Sequence, residues 1–232
     1  MKRLIPFVII ILVALVTLGV ATTLYRSKMR PPETKAASAA ATAADGSSPA
    51  AAMQEEDQGN LHVRGGRNAP VTLEIYGDFQ CPSCAMNAMV VDDLQKQYGD
   101  KLRVIFHEFP LAMHKHAMEA AMAAEAAALQ GRFWEMHDMI YRYQNVWSQA
   151  TTVAHFFATY AESIGLDAAR FRADAQNPDV RARVIADGAE GEARGVKNTP
   201  TIFINGELVQ GGFRKEVLEQ AVEKALAQPK KS

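Results

Sequence analysis

The sequence predicts an α/β domain with a helical insertion, preceded by an N-terminal transmembrane helix and a disordered linker. Three observations predict this organisation. An uncharged apolar run lies near the N-terminus, and a stretch rich in Ala, Pro and Ser follows it. Beyond about residue 61, strand and helix patterns alternate in the order β-α-β, several helices, then β-β-α. That order closes one small sheet if the central helices form an insertion.

Composition excludes several classes of protein. The chain has 232 residues, with 25 Lys and Arg against 26 Asp and Glu, so its formal net charge is −1. A nucleic-acid-binding protein would normally show a basic excess. Two cysteines are too few for a disulfide scaffold or a cysteine-rich zinc domain. No repeat of 20–50 residues is visible, which excludes solenoids and propellers.

The N-terminal apolar run extends from Leu4 to Tyr25 and follows Lys2 and Arg3. As a helix it would be about 33 Å long, which matches the hydrocarbon core of a bilayer. Residues 1–25 are therefore interpreted as a signal anchor. The alternative is a cleaved signal peptide, since residues 19–21 (GVA) form a small-x-small site. In that case the mature protein would be soluble.

Residues 26–60 have the composition of a flexible linker. They contain Pro31 and Pro32, the alanine-rich run 36–44, and no aromatic residue or apolar periodicity. Such a segment cannot bury enough apolar surface to fold. Residues 61–232 are left as the folded domain.

The folded domain begins with a predicted strand-helix-strand unit. Val71–Tyr76 alternates in the manner of a strand and is bounded by Pro70 and Gly77. A helix is predicted from about Pro82 to Tyr98, and a second strand begins with the alternating residues Leu102–Phe106 and ends near Pro110. Two strands joined by a helix indicate a right-handed parallel crossover.

The predicted helical insertion covers about 111–190. Its helices are expected at 116–129, across the faces that contain residues 133–141 and 153–164, and at 168–175 and 180–189. Phe133, Trp134 and His137 are interpreted as packing residues. The chain then returns to a strand at Thr201–Ile204, a hairpin turn at 205–206 (NG) with a second arm at 207–210, and a closing helix at about 214–227.

The chemistry is predicted at residues 81–84 (CPSC), between the first strand and its helix. Pro82 fits the first helical turn, which places Cys81 at the helix N-terminus. Unpaired N–H groups and the helix dipole there stabilise a thiolate, the nucleophile of disulfide exchange. Cys84 lies one turn later and can resolve a mixed disulfide. The alternatives are half a zinc site and two inert buried thiols, but no second ligand pair has zinc spacing.

Four segments resemble the DsbA-like thiol–disulfide oxidoreductases. They are residues 68–72 (NAPVT), 77–84 (GDFQCPSC), 130–138 (QGRFWEMHD) and 195–206 (GVKNTPTIFING). The resemblance covers about 68–226 and implies a thioredoxin-like fold with a helical insertion. It also implies that Pro200 is a cis-proline that faces the cysteines, and that the backbone of Thr199 binds a substrate strand.

Two positions depart from the family pattern. Many thioredoxin-like proteins have a buried acid six residues before the first cysteine, where this chain has Ile75; its acid is Glu74, one residue earlier. Glu74 is therefore a candidate proton relay. Because side chains alternate along a strand, Glu74 is expected to face the opposite side, and the alternative is a structural or solvent-facing role. Ser83 stands where the strongest oxidants have histidine. We therefore expect modest oxidising strength and a Cys81 pKa in the upper part of the range for perturbed cysteines, about 3.5–7.5.

The expected activity is thiol–disulfide exchange by Cys81 and Cys84 outside the cytoplasm, with oxidation of exported proteins as the favoured direction. The redox-active disulfide is the only expected cofactor, with no metal. A membrane redox partner would reset the site, and the protein would be a membrane-anchored monomer facing the periplasm. A reductase or isomerase is the alternative within this fold.

A copper-binding module is the alternative from another class, because Met and His residues cluster at the start of the insertion. The cluster comprises Met113, His114, His116, Met118 and Met122. Three of them also form the helical stripe of an ordinary packed face, which is the favoured interpretation.

Overall fold

The computed structural model describes residues 62–212 and 214–228. The predicted transmembrane helix (1–25) and linker (26–60) lie outside the described residues and stay predictions. Within the described part, no helix combines the length and the apolar character needed to cross a membrane.

A mixed five-stranded sheet forms the centre of the described domain. Its strands are β1 (Val63–Gly65), β2 (Val71–Gly77), β3 (Leu102–Glu108), β4 (Thr201–Ile204) and β5 (Glu207–Leu208), in the spatial order β1-β3-β2-β4-β5. β2 and β3 are parallel, with Val71 opposite Leu102 and Gly77 opposite Glu108. The other pairs are antiparallel. The predicted parallel crossover is thus confirmed.

Two details of the sheet differ from the sequence prediction. The short strand β1 was not predicted, because three residues show no clear alternation. β3 ends at Glu108, close to the predicted end near Pro110. β5 ends at Leu208 rather than residue 210, since the chain then turns through Gly211, whose φ is 69°.

Eight α-helices are present in the described part, besides a short 3-10 helix at Gly99–Lys101. They are α1 (Pro82–Tyr98), α2 (Ala117–Ala128), α3 (Phe133–Arg142), α4 (Gln144–Trp147), α5 (Ala154–Ser163), α6 (Ala168–Asp174), α7 (Pro178–Ala193) and α8 (Lys215–Ala227). α8 packs on α1, β2 and β4, whereas α2 to α7 form the inserted layer. The insertion therefore lies between β3 and β4, as the sequence predicts.

The insertion and the sheet share one aromatic core. Phe106 of β3 contacts the rings of Phe79, Phe133, His137 and Tyr141, with centroid distances of 5.1–6.5 Å. These side chains are all less than one tenth exposed. The packing interpretation of the 133–141 helix face therefore holds, and the core fixes the insertion beside the turn that precedes α1.

Candidate active site

Both cysteines lie at the start of α1, directly after β2. Cys81 is the N-cap residue with extended backbone angles (φ −73°, ψ 121°), and Pro82 occupies the first turn. A tight turn connects the strand to the helix, because the Cys81 N–H donates to the Asp78 carbonyl at 3.1 Å. The thiols are free and buried, with Cys81 7% and Cys84 3% exposed.

The surroundings of Cys81 favour its thiolate. A hydrogen bond from the Cys84 thiol is the largest influence and lowers the pKa of Cys81 from 9.0 to about 5. Burial opposes this, but the Thr199 side chain and the N–H groups of Ser83 and Cys84 add to the lowering. The value of 5 lies below the upper part of the perturbed range that we expected. The neighbouring donors stabilise the charge without a cation at Ser83.

Cys84 has the opposite character. Burial is the largest cause that raises its pKa well above the ordinary value, and the hydrogen bond with Cys81 acts in the same direction. Its sulfur lies 3.5 Å from the Asp78 N–H. At neutral pH the pair therefore consists of one thiolate and one thiol, which is the arrangement that an attacking and a resolving cysteine require.

The loop before β4 lies against Cys81. The Thr199–Pro200 peptide bond is cis, and Cys81 Sγ lies 3.4 Å from the Thr199 carbonyl oxygen. Thr201 then enters β4 opposite Tyr76 of β2. The sheet therefore brings two distant segments of the sequence, 81–84 and 199–200, together at one end of the β2–β4 pair.

Asp78 is a site residue that the sequence reasoning missed. It is 1% exposed, and its Oδ2 accepts from the Leu111 N–H at 2.8 Å and contacts His114 Nδ1 at 2.7 Å. Its Oδ1 accepts from the Gln80 N–H at 2.7 Å. Asp78 thus connects the cysteine turn to the segment that opens the insertion. Its position three residues before Cys81 is the signal that could have indicated it.

The insertion also holds the cysteine turn directly. Gln144 Nε2 donates to the carbonyls of Phe79 at 2.7 Å and Cys81 at 3.0 Å. Gln80 donates to the Ser148 carbonyl at 3.0 Å and accepts from the His116 N–H at 2.6 Å. No sequence signal distinguishes these glutamines from ordinary polar residues.

The structure does not bring Glu74 to the cysteines. Glu74 Oε2 lies 2.6 Å from Arg194 Nη1 and 3.7 Å from His107 Nε2. Burial raises its pKa, but the contacts with His107 and Arg194 outweigh burial and lower the pKa to about 2. Ile75, its neighbour in β2, lines the narrow cleft that contains Cys84. The proton-relay assignment of Glu74 is therefore corrected, since Glu74 holds no proton to exchange at neutral pH.

The members of the Met and His cluster have other partners in the structure. His114 is bound to Asp78, and His116 contacts Glu119 at 2.6 Å and the Ala150 carbonyl at 2.9 Å with its two ring nitrogens. Met113 is 82% exposed, whereas Met122 is buried against Val180 and Val184. These side chains support packing and the cysteine turn. The described residues contain a different group that could hold a metal ion: His62, Glu125 and Asp187.

Solved structures share the fold. Oxidised BdbD from Bacillus subtilis matches with a TM-score of 0.65 and 23% identity, over 72% of this chain and 94% of that chain. α-DsbA1 from Wolbachia pipientis matches with a TM-score of 0.62 and 18% identity, over 71% and 89% of the two chains. MdbA from Corynebacterium diphtheriae, a thiol–disulfide oxidoreductase, matches with a TM-score of 0.57 and 23% identity, over 71% and 89%.

The similar curated sequences belong to much longer proteins that are named as antiporters. The Na⁺/H⁺ antiporter NhaA 1 of Mycolicibacterium gilvum is 38% identical over 167 residues, which is 70% of this chain and 26% of the relative. The protein of the same name from Salinispora arenicola is 38% identical over 172 residues, or 74% of this chain and 26% of the relative. This chain thus spans about a quarter of the length of these relatives, and antiport is named for those longer proteins.

A protein-family model described as Thioredoxin matches residues 56–224, which include every element from β1 to β5 and most of α8. The match contains both cysteines and the cis-proline. The chain therefore belongs to the thioredoxin family and has the fold of the DsbA-like thiol–disulfide oxidoreductases.

Proposed function

We propose that this chain is an extracytoplasmic thiol–disulfide oxidoreductase that oxidises cysteine pairs of exported proteins. The observation that carries the proposal is the contrast between Cys81, whose pKa is lowered to about 5, and the buried Cys84, whose pKa is raised. An inert pair of buried thiols would show two raised pKa values. The family and the fold support the same chemistry.

The reaction begins with the Cys81–Cys84 disulfide. A substrate thiolate attacks the Cys81 sulfur, which forms a mixed disulfide and releases Cys84, which takes up a proton. The second substrate thiolate then attacks the substrate sulfur of the mixed disulfide and releases Cys81 as a thiolate. The substrate loses two electrons and two protons, and the active-site pair gains two electrons. A low pKa makes Cys81 a good leaving group, which supports oxidation as the direction.

The surroundings of Cys81 supply a place for the substrate. In this proposal, the backbone of Thr199, beside the cis-Pro200 bond, pairs with an extended substrate segment. The two electrons then pass to a membrane redox partner, which restores the disulfide. The N-terminal segment would keep the catalytic domain at the membrane and outside the cytoplasm.

A reductase or isomerase is the second candidate, because Ser83 supplies no positive charge beside Cys81. Both run the same exchange, and the direction depends on the potential of the pair relative to its partners. Measurement of the equilibrium of the Cys81–Cys84 pair against glutathione decides between them. A potential near that of strong oxidants supports oxidation, whereas one near thioredoxin, about −270 mV, supports the reductase.

The cysteine roles are tested with single variants. Cys84→Ala removes the resolving thiol, so Cys81 should accumulate mixed disulfides with exported proteins on non-reducing gels. Cys81→Ala is the matched control and should trap none, because the remaining thiol is buried and protonated. If Cys81→Ala traps partners and Cys84→Ala does not, the roles are reversed. Absence of trapping by both variants contradicts the proposed function.

A further inference from the structure

A second cluster of chemically active side chains lies at the outer edge of β3. β1 pairs only with residues 103–105, so the last part of β3 has an edge that no strand covers in the described chain. α7 packs against β3 there, and α2 packs against α7. The Glu108 N–H donates to Asp187 Oδ2 of α7 at 3.0 Å. Side chains from separate elements therefore meet at this edge.

Three of these side chains are arranged as metal ligands. His62, before β1, Glu125 of α2 and Asp187 of α7 each place one ligand atom within 4.8 Å of the others. His62 Nε2 lies 2.9 Å from Glu125 Oε1. His62 is 4% and Glu125 1% exposed. This cluster is therefore buried, unlike the clusters of exposed acidic side chains that are common on protein surfaces. The three residues come from three separate segments of the chain.

The buried carboxyl group of Glu108 is a second, independent feature that indicates a bound ion. It is fully buried, and neither carboxylate oxygen has a hydrogen-bond partner among the described residues. Its carboxyl group interacts electrostatically with those of Glu125 and Asp187. Burial of a carboxyl group is costly unless a partner or a metal compensates it.

One cationic side chain contacts this cluster from the surface. Arg183 Nε lies 3.4 Å from Glu125 Oε2, but the Arg183 side chain is 41% exposed. His107 interacts with Asp187 from the other side of β3. Asp78, whose carboxylate is bound to His114, adds further negative charge in the vicinity of Glu108.

We propose that His62, Glu125 and Asp187, with the buried carboxyl group of Glu108 beside them, form a binding site for one divalent metal ion. The donors are one imidazole nitrogen and carboxylate oxygens, a set that suits first-row ions such as Zn²⁺ and Mn²⁺. Ca²⁺ and Mg²⁺ prefer oxygen donors alone. The ion would join the segment before β1, the edge of β3, α2 and α7. The site contains neither redox cysteine, and it does not depend on the proposed function.

Metal binding is tested on the full-length chain after treatment with EDTA. The Cys81–Cys84 disulfide is formed first, so that the thiolates cannot act as ligands. Zn²⁺, Mn²⁺ and Ca²⁺ are then titrated separately by calorimetry, and thermal unfolding is measured with and without each ion. We expect one ion per chain and, at a hundredfold excess over the Kd, a rise in Tm of about 5–10 °C.

Variants then assign the ligands. Asp187→Asn keeps an oxygen acceptor for the Glu108 N–H but loses the ligand charge, and it should weaken binding at least tenfold. His62→Gln, before the first strand, is the second variant and should have the same effect. Glu192→Gln, an exposed position on the same helix as Asp187, is the matched control and should bind as the unaltered chain does.

Three outcomes would overturn the site. The first is that neither Zn²⁺ nor Mn²⁺ binds or raises Tm, which means that protons and nearby cations neutralise the cluster. The second is that Asp187→Asn and His62→Gln bind as tightly as Glu192→Gln, which places the ion elsewhere. Binding of Ca²⁺ without Zn²⁺ or Mn²⁺ would overturn the ligand chemistry.

Discussion

At the scale of single residues, Cys81 and Cys84 differ because their surroundings differ. Cys81 receives hydrogen bonds at the start of a helix, and these stabilise its charge, whereas Cys84 lies one turn deeper, where burial penalises a charge. The same residue type therefore has two chemical roles within four positions. Glu74 is a second example of a role set by surroundings. Its contacts with His107 and Arg194 lower its pKa, so Glu74 stays ionised and does not take part in proton transfer.

The lowered pKa of Cys81 predicts how redox state and pH together set stability. A thiol whose pKa falls from 9.0 to about 5 on folding stabilises the reduced protein above its unfolded pKa. That stabilisation is lost as the pH falls through 5. The disulfide form has no ionisable thiol and lacks this dependence. From pH 5 to pH 7, the reduced form should gain about 2 kcal/mol over the oxidised form.

Thermal melts of both redox forms at pH 5, 6, 7 and 8, with a titration of thiolate absorbance, measure this difference. Cys81→Ser is the control, and its pH dependence should match that of the oxidised chain. An oxidised form that is clearly more stable at pH 7 would contradict the prediction and favour the reductase.

At the scale of elements, helix α7 closes against the sheet through a glycine. A Cβ at Gly191 would lie 2.8 Å from atoms of Phe109 and Tyr76, whereas a Cβ at Gly188, one turn earlier, would meet nothing within 4 Å. The absence of a side chain at Gly191 allows the helix to approach the rings that pack with Val196, in the loop before the cis-proline. Close packing here positions that loop.

Alanine at the two glycines should therefore have opposite effects. Gly191→Ala forces two buried rings to move and should lower the free energy of unfolding by about 1–3 kcal/mol. Gly188→Ala, the matched control in the same helix, should raise it by about 0.5–1 kcal/mol, because alanine favours the helix. Denaturant unfolding of both variants is the measurement. Equal effects would show that the contact at Gly191 does not determine how α7 packs.

At the scale of the whole molecule, the N-terminal segment decides where the catalytic domain works. If the helix predicted at Leu4–Tyr25 is retained, fractionation of cells should find the full-length protein in membranes. The linker of about 35 residues would give the domain a root-mean-square reach of roughly 30–35 Å. A mature soluble form that begins near Thr22 would contradict the anchor and leave the redox chemistry intact.

The sequence by itself determined the order of the elements and the reactive motif. Periodicity, Pro82 and the turn at Asn205 and Gly206 act between neighbours along the chain, and the turn residues have the positive φ values that a tight hairpin favours, 49° and 81°. Local patterns therefore predicted the crossover, the insertion and Cys81 at a helix N-terminus. The resemblance added the cis bond at Pro200.

Only the tertiary structure decided what surrounds the cysteines. Gln144 and Thr199 reach the cysteine turn from two distant segments, and Asp78 within the turn accepts from the Leu111 N–H. No periodicity encodes which distant polar group will lie there. The same holds for the pairing of Glu74 with Arg194, 120 positions away. Burial and hydrogen bonding set a pKa, and both arise from contacts between elements. The sequence therefore located the chemistry, whereas the packing of the insertion against the sheet assigned a role to each sulfur.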